Sequence, residues 1–194
     1  MKKSLSLKSY QGSPIIFSSF THPRLGLIWV AVSSAGLVAV DFDNDQETFI
    51  HYLQQRYPSQ RIEPLPTSPN EPSEPHASIL TDAIQQILKY LDGRLRQFAL
   101  PLDWSNMTPF QERALRFTYT IPYGQTTTYL EIARQLGNSS SARAVGRAEA
   151  TNPMPLVIPC HRVVGSDGEL HGYGGRGGIN TKAWLLEMES KSKG

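Results

Sequence analysis

The chain has 194 residues, of which 39% are hydrophobic and 19% are charged, so it is long enough for one large domain or two small ones around a packed core. Its 19 basic and 17 acidic side chains give a formal net charge of +2, which excludes a disordered polyelectrolyte and a histone-like basic protein. Residues 104–194 carry 10 basic and 7 acidic side chains, against 9 and 10 in residues 1–103. The second half is therefore the better candidate for binding an anionic ligand.

The chain contains a single cysteine, Cys160. One thiol excludes an intramolecular disulfide framework and any multi-cysteine zinc or iron–sulfur site. The basic start of the chain has no apolar run of signal-peptide length, and the longest apolar stretch, residues 25–40, is interrupted by Gly and Ser and is shorter than the roughly 20 residues that span a bilayer. We therefore expect a cytoplasmic protein that does not associate with membranes.

The first half of the chain begins with β-rich runs. Residues 27–32 and 37–42 flank a Gly-containing connection and predict a hairpin, and residues 15–17 indicate an earlier strand. An acidic stretch follows, comprising Asp41, Asp43, Asp45 and Glu47. Carboxylates stabilise helix N-termini, so this stretch predicts the start of a helix through Phe49, Ile50, Leu53 and Tyr57; a metal site is the alternative interpretation.

A proline-rich stretch interrupts this pattern. Six prolines between Pro58 and Pro75 exclude a helix or a central strand and predict a surface loop or a linker. Apolar residues at helical spacing from Ile79 to Leu91 then predict a helix that ends at Asp92-Gly93. Composition alone would place a domain boundary in the proline stretch, and a second candidate lies at residues 99–103.

The second half has helical character. Thr108-Pro109 is typical of a helix start, and residues 128–131 fit a capping box that opens a helix ending at Gly137. A short turn leads to another helical segment, residues 141–148, so the pair predicts a helix-turn-helix. The second helix contains small residues, Ala142, Ala144, Gly146 and Ala148, with Arg143 and Arg147 one turn apart. Small side chains let the helix backbone come close to a broad surface, and the two arginines add affinity for phosphate; tight helix packing is the alternative.

The segment Asn152–Val163 is the most informative part of the sequence. Its three prolines and an apolar run predict a stiff, extended approach that fixes the direction of the Cys160 sulfur. The imidazole of His161 and the guanidinium of Arg162 would favour the nucleophilic thiolate. Neighbours in an extended chain point to opposite sides, so a proton transfer between Cys160 and His161 would need a bridging water. A buried, inert cysteine is the alternative interpretation.

These residues resemble the O6-alkylguanine-DNA alkyltransferases, also called methylated-DNA–protein-cysteine methyltransferases. The likeness is dense over residues 108–189 and thinner at residues 26–31 and 36–37. The matching segments are Pro159-Cys160-His161-Arg162-Val163, Asn152-Pro153-Met154-Pro155, Ser141-Ala142-Arg143-Ala144-Val145-Gly146, Pro122-Tyr123-Gly124 to Tyr129, and Trp184-Leu185-Leu186.

The resemblance implies an α+β protein of two domains. Residues 1–103 would form a ribonuclease H-like domain of sheet and helix that contains the Pro-rich loop 58–75. Residues 104–194 would form a mainly helical domain with the helix-turn-helix and the active site. The implied activity is DNA repair: the Cys160 thiolate takes a methyl or other alkyl group from O6 of guanine in duplex DNA, irreversibly and once per molecule. O4-alkylthymine is a further candidate substrate.

The resemblance also assigns roles to residues. Glu189 would orient His161, which accepts the proton of Cys160 through a water, and Asn152 would brace the turn that carries the thiol. Tyr129 would stabilise the charge that develops on the leaving guanine. Arg143 would fill the gap left by a base flipped out through the minor groove. The implied guanine pocket contains Tyr129, Val163, Tyr173 and Gly174, and the implied DNA contacts are Arg143, Thr128, Ala142, Gly146 and Ser166.

The chain also departs from the family pattern. Its glycine-rich residues 174–178 form a longer run than the common one, which suggests a more mobile loop over the pocket and a broader substrate range. Some members bind zinc through N-terminal cysteines that this sequence lacks, so we expect no metal. We also expect that the protein needs no cofactor and is a monomer. Three alternatives stay open: a binding-only relative without alkyl transfer, a helix-turn-helix transcription regulator, and a cysteine hydrolase. Cys160 argues against the first, and the inertness of an S-alkyl thioether argues against the last.

Overall fold

The computed structural model describes residues 12–42, 44–66, 75–170 and 178–191. Its elements in chain order are β1 (Ile15–His22), β2 (Gly26–Ser33), β3 (Gly36–Phe42), α1 (Gln46–Arg56), β4 (Ile62–Pro64), α2 (Ala77–Leu91), α3 (Pro109–Tyr119), β5 (Thr127–Thr128), α4 (Tyr129–Gln135), α5 (Ala142–Ala150), β6 (Val163–Val164) and α6 (Gly178–Lys191). Single 3-10 turns lie at Ser139–Ser141 and Cys160–Arg162. The fold is α+β, with a sheet in the first half and mainly helices in the second, as expected.

The four-stranded sheet has the order β3-β2-β1-β4 and is covered on both faces. Alternating residues of β2 point to opposite sides: Ile28 and Val30 pack with α2, whereas Trp29 and Ala31 pack with α1. Because both faces are buried, β2 and β3 are nearly continuous apolar runs rather than alternating ones. The predicted hairpin is confirmed as the antiparallel pair β2–β3, and the earlier strand is longer than predicted because β1 continues to His22.

The proline-rich stretch is not loop throughout, so that prediction is wrong in part. β4 pairs in parallel with β1 at the edge of the sheet. An edge strand tolerates Pro64 at its end, because the missing N–H of proline is not needed there for a ladder hydrogen bond. Residues 67–74 of the same stretch lie outside the described residues.

The predicted helix starts are confirmed by their capping hydrogen bonds. The side chains of Asp45, Thr108 and Thr128 accept from the backbone N–H three residues further on, at the starts of α1, α3 and α4. Asp45 therefore serves as an N-cap, as the helix interpretation of the acidic stretch requires. Of that stretch, Asp43 lies outside the described residues.

The segment before Cys160 is a compact turn, not the extended run that the sequence suggested. Leu156 has a φ of +71°, and Ile158 N donates to Met154 O at 2.8 Å. Leu156, Val157 and Ile158 are buried in the same core as β2 and α2, and Val40 N of β3 donates to Pro153 O at 2.9 Å. Burial of these side chains against the sheet outweighs the local preference of the prolines, so the sheet anchors the turn that carries the thiol.

A second connection between the halves follows residues 99–103. Leu37 N of β3 donates to Pro101 O at 2.8 Å, and Asp103 N donates to Leu37 O at 2.9 Å. The domain boundary that we predict between residues 103 and 104 directly follows this segment and stays a prediction. None of the helices in the described ranges is long and apolar enough to cross a membrane.

Replacing Gly36 with alanine tests this close approach. A Cβ at Gly36 would lie 2.3 Å from the Pro101 carbonyl oxygen, and the residue has a φ of +142°. We expect Gly36→Ala to lower the free energy of unfolding by about 3 kcal/mol or more, measured by urea unfolding. Gly168→Ala is the matched control, because Gly168 has a φ of +81° with nothing within 4 Å of its Cβ position and should cost only about 1 kcal/mol. Equal losses in the two variants would contradict the clash.

Candidate active site

Cys160 lies at the start of a 3-10 turn that Asn152 holds in place. Asn152 Nδ2 donates to Ile158 O at 2.8 Å, and Asn152 Oδ1 accepts from Met154 N at 3.0 Å. These two bonds close the turn on itself, which fixes the backbone just before the thiol. Cys160 is 5% exposed and contributes to the wall of a cavity of about 450 Å³.

That cavity lies between the two halves of the chain. β3 and α1 form one side of it, and the end of α5 with the Cys160 turn forms the other. A second, more open groove of about 630 Å³ adjoins it at Ala150. The groove contains most of the predicted DNA-contacting residues and the predicted tyrosine: Tyr129, Ala142, Arg143, Gly146 and Ser166. The cavity with the thiol and the groove beside the helix-turn-helix thus have Ala150 as a common wall residue.

His161 and Glu189 form a fully buried pair. His161 Nε2 lies 3.0 Å from Glu189 Oε1, and Tyr90 Oη donates to the same oxygen at 2.6 Å. A carboxylate only accepts hydrogen bonds, so Nε2 carries the proton and Nδ1 is left with a lone pair. Nδ1 is buried and has no hydrogen-bond partner among the described residues. His161 is therefore oriented with a proton-accepting nitrogen available.

Glu189 is the centre of a dense hydrogen-bond network. Arg162 donates to both of its oxygens through Nε and to Oε1 through Nη2, and Gly124 N donates to Oε2 at 2.9 Å. Burial opposes ionisation of this carboxyl, but hydrogen bonds from His161 and Arg162, together with the charge of Arg162, hold the pKa of Glu189 far below its usual range. Glu189 is therefore a permanent anion at the end of the network.

The expected effect of Arg162 on the thiol is wrong. Its guanidinium is engaged by Glu189, and Nη1 donates to Ile121 O at 2.5 Å. Burial raises the pKa of Cys160 to about 12, and the nearby Glu149 raises it further, against opposing contributions from Asn152 and Lys182. Cys160 is accordingly a thiol at neutral pH in the free protein, and its deprotonation belongs to the reaction.

The cation near the thiol is Lys182, which the sequence analysis missed. Lys182 Nζ donates to Val163 O at 2.6 Å and lies 3.4 Å from Tyr129 Oη. Burial lowers the pKa of Lys182, while Cys160 and Glu149 raise it. The signal was present in α6, where the buried residues Lys182, Leu185 and Glu189 recur at helical spacing.

Glu149 of α5 was also missed. It is 4% exposed and accepts a hydrogen bond from Thr118 Oγ1 at 2.6 Å. Burial raises the pKa of Glu149 to about 8, although Thr118 and Lys182 oppose the shift. A signal was present in α5 as well, because Glu149 lies at helical spacing from the other buried positions of the helix, Val145 and Ala148.

Glu149 makes the stability of the protein fall as the pH rises. Between the usual carboxyl pKa and the raised pKa of about 8, the folded chain retains a proton that the unfolded chain has lost, so each pH unit costs about 1.4 kcal/mol. The glutamine in Glu149→Gln does not titrate. The free energy of unfolding of this variant should therefore rise relative to that of the wild type between pH 5 and pH 8, and urea unfolding measures both values. A difference that is constant with pH would contradict the buried, protonated carboxyl.

The remaining predicted residues occupy different environments. Arg143 and Ser166 are exposed, and the Cβ position of Gly146 is 3.8 Å from the Tyr129 ring. The Thr128 side chain accepts from Glu131 N as the N-cap of α4. Val163 is fully buried beneath Tyr129. Tyr173 and Gly174, with most of the glycine-rich loop, lie outside the described residues.

The fold and this site define a class: α+β proteins in which a helix-turn-helix borders a groove that adjoins a cavity lined by a buried cysteine. Two domain families match the chain. They are "6-O-methylguanine DNA methyltransferase, ribonuclease-like domain" over residues 16–104 and "6-O-methylguanine DNA methyltransferase, DNA binding domain" over residues 109–191.

Individual relatives agree with these matches. A methylated-DNA–protein-cysteine methyltransferase of Mycobacterium leprae is 41% identical over 142 residues, which are 73% of this chain and 79% of that protein. An inducible methylated-DNA–protein-cysteine methyltransferase of Bacillus subtilis is 33% identical over 165 residues, 84% of each chain. The crystal structure of Mycobacterium tuberculosis OGT in complex with DNA has a TM-score of 0.72 and 33% identity, covering 91% of this chain and 94% of that one. The chain belongs to the 6-O-methylguanine DNA methyltransferase family.

Proposed function

We propose that this protein repairs O6-alkylguanine in double-stranded DNA by transferring the alkyl group irreversibly to Cys160. One observation carries the proposal: the only thiol of the chain lines a cavity that adjoins the groove of the helix-turn-helix. His161 follows the thiol directly in the chain and is paired with the buried Glu189. A nucleophilic thiol needs a base of this kind to accept its proton. Nothing in this arrangement depends on a cofactor.

The reaction begins with loss of the Cys160 proton. A water that bridges Sγ and the lone pair of His161 Nδ1 would pass the proton to the imidazole, and the Glu189 carboxylate stabilises the imidazolium that forms. The positive charge of Lys182 attracts the thiolate. Together these groups offset the burial that keeps the resting thiol protonated.

The alkyl transfer itself is a displacement at carbon. The thiolate forms a carbon–sulfur bond as the bond from carbon to O6 breaks, and the electron pair leaves with guanine. Tyr129 meets this developing charge as a hydrogen-bond donor. Burial raises the pKa of Tyr129 to about 12, with Glu149 and Cys160 adding to the shift, so the phenol keeps its proton at neutral pH. The resulting thioether is inert to water, which limits each molecule to one repair.

The groove would hold the duplex while the damaged base is flipped out. Arg143 is exposed at the groove and would replace the base in the stack. The small side chains of Ala142 and Gly146 allow the helix to approach the minor groove closely, and Thr128 and Ser166 would add contacts. Contacts to the DNA backbone discriminate little between base sequences and depend strongly on charge. The affinity for DNA should therefore fall as the salt concentration rises.

We assign the working form of the protein to a monomer in the cytoplasm. The acceptor must be a reduced thiol, and the reducing cytoplasm keeps a lone cysteine in that form. A light-scattering mass that stays at one chain in the presence and absence of duplex would agree with this assignment, whereas a dimer would contradict it.

The repaired DNA tests the function directly. A duplex that carries one O6-methylguanine is incubated in excess with known amounts of protein, digested to nucleosides and separated. We expect guanine to appear as O6-methylguanine disappears, up to one equivalent per protein, and Cys160→Ala to restore none. Tight binding without restored guanine would favour the binding-only alternative, and restoration beyond one equivalent would indicate a turning-over enzyme.

A further inference from the structure

Glu149 adds an acidic side chain to the wall of the cavity that holds Cys160. Its Oε1 accepts from Thr118 Oγ1 at 2.6 Å, and Thr118 Oγ1 also lies 3.1 Å from Ala114 O of the same helix, α3. The carboxyl group is therefore held in one orientation by a neighbouring helix. Its other oxygen, Oε2, is buried and has no hydrogen-bond partner in the part of the chain that the structure describes.

A buried carboxyl oxygen without a partner is costly, since burial removes its hydrogen bonds to water and nothing replaces them. Because Glu149 is one of the residues that line the cavity, a molecule bound there is the candidate to supply the missing partner. The cavity is also larger than a methyl group needs, at about 450 Å³. The volume leaves room for a group larger than methyl, and the unpaired oxygen favours a group that carries a polar atom.

The position of Cys160 identifies that ligand. If the proposed function holds, the carbon attached to O6 must reach Cys160 Sγ. Cys160 and Glu149 line the same cavity, so the rest of the alkyl group has this cavity beside it. Tyr129 and Lys182, the other polar groups near the thiol, contact each other and Val163 O. Glu149 Oε2 is thus the polar atom left without a partner. A hydroxyl group on the alkyl chain can pair with it whether the carboxyl is protonated or ionised, because a hydroxyl both donates and accepts hydrogen bonds.

We propose that Glu149 is a specificity-determining residue: it favours O6-alkyl groups that carry a hydroxyl over apolar groups of the same size. The inference rests on the proposed function and adds a substrate class to it. A hydroxyl group satisfies Oε2 in the transition state, whereas a methyl group in its place leaves the oxygen buried and unpaired.

The test compares two duplexes that differ by one isosteric group, O6-(2-hydroxyethyl)guanine and O6-n-propylguanine. Single-turnover rate constants give a hydroxyethyl-to-propyl ratio within each variant, so differences in overall activity cancel. We expect this ratio to be about tenfold higher in the wild type than in Glu149→Met, and Glu149→Gln, which keeps a polar amide, to retain most of it. Glu149→Ala replaces the methionine variant if thermal melting shows that the latter does not fold.

Glu187→Met is the matched control. Glu187 is exposed on α6 and pairs with Lys191, so its replacement should leave the ratio at the wild-type value. Equal ratios in the wild type and in Glu149→Met would overturn the inference, even if both proteins accept a methyl group from O6-methylguanine at Cys160. Absence of methyl transfer from O6-methylguanine to Cys160 would instead overturn the proposed function, and is measured on the same samples.

Discussion

We expect Glu189→Gln to lower the rate of alkyl transfer by at least about 100-fold and the free energy of unfolding by about 3 kcal/mol or more. The carboxylate accepts from Tyr90, His161 and Arg162 as well as from a backbone amide. In glutamine an NH2 group, which donates, replaces one of the two accepting oxygens and faces groups that also donate. The buried Arg162 guanidinium is left without its counter-charge. His161 loses the partner that fixes its tautomer and stabilises its charged form.

Single-turnover kinetics with an O6-methylguanine duplex and urea unfolding at pH 7 measure the two effects separately. Glu187→Gln on the same helix is the control, because its side chain is exposed and pairs only with Lys191 among the described residues; we expect a change within about 0.5 kcal/mol. The sign of the pH effect also follows. The lowered pKa of Glu189 gives stability that is present above the usual carboxyl pKa and is lost as the pH falls below it. A folded Glu189→Gln variant that transfers methyl groups at the wild-type rate would contradict the role of the network.

We expect Arg143→Ala to slow transfer from a lesion in duplex DNA by about 100-fold and to slow reaction with the free base O6-benzylguanine far less. Extrusion of a base from the stack costs a few kcal/mol, and an inserted guanidinium that offsets about 2.7 kcal/mol of it accounts for two decades of rate. A free base needs no extrusion, so it is insensitive to the loss of a residue that only fills the stack.

Arg147→Ala provides the comparison within the same helix. Arg147 is exposed, as Arg143 is, but it is not part of the groove beside Tyr129. Its loss should reduce the duplex rate by less than about tenfold and mainly through a weaker phosphate contact, which salt masks. Equal effects of the two substitutions, or an equal loss for duplex and free base in Arg143→Ala, would contradict a role in base flipping.

Local features of the fold could be predicted from the sequence because neighbouring residues determine them. The caps at Asp45, Thr108 and Thr128 depend on a side chain and an amide three residues away, and all three are present. The β2–β3 hairpin follows from two apolar runs and the short connection between them. The Pro-Cys-His-Arg segment could be recognised because its residue types are adjacent in the chain.

Features that depend on distant contacts could not be predicted. Tyr90 reaches His161 and Glu189 across 71 and 99 positions of sequence, and no local pattern links them. Arg162 is adjacent to the thiol in sequence yet turns toward Glu189, because a buried guanidinium requires a carboxylate. The turn at Leu156 follows from packing against the sheet. The missed residues, Lys182 and Glu149, are buried titratable groups at helical spacing with apolar positions, and the groups that they contact become evident only when the helices pack.

The central claim is that Cys160 accepts the alkyl group, and intact mass spectrometry tests it most directly. The protein is incubated with a duplex that carries one O6-methylguanine, beside a Cys160→Ala variant whose folding is checked by thermal melting. The account predicts that the wild type gains about 14 Da, the mass of one methylene, and that the gain stops at one addition per chain. No gain on the wild type, or the same gain on Cys160→Ala, would contradict it.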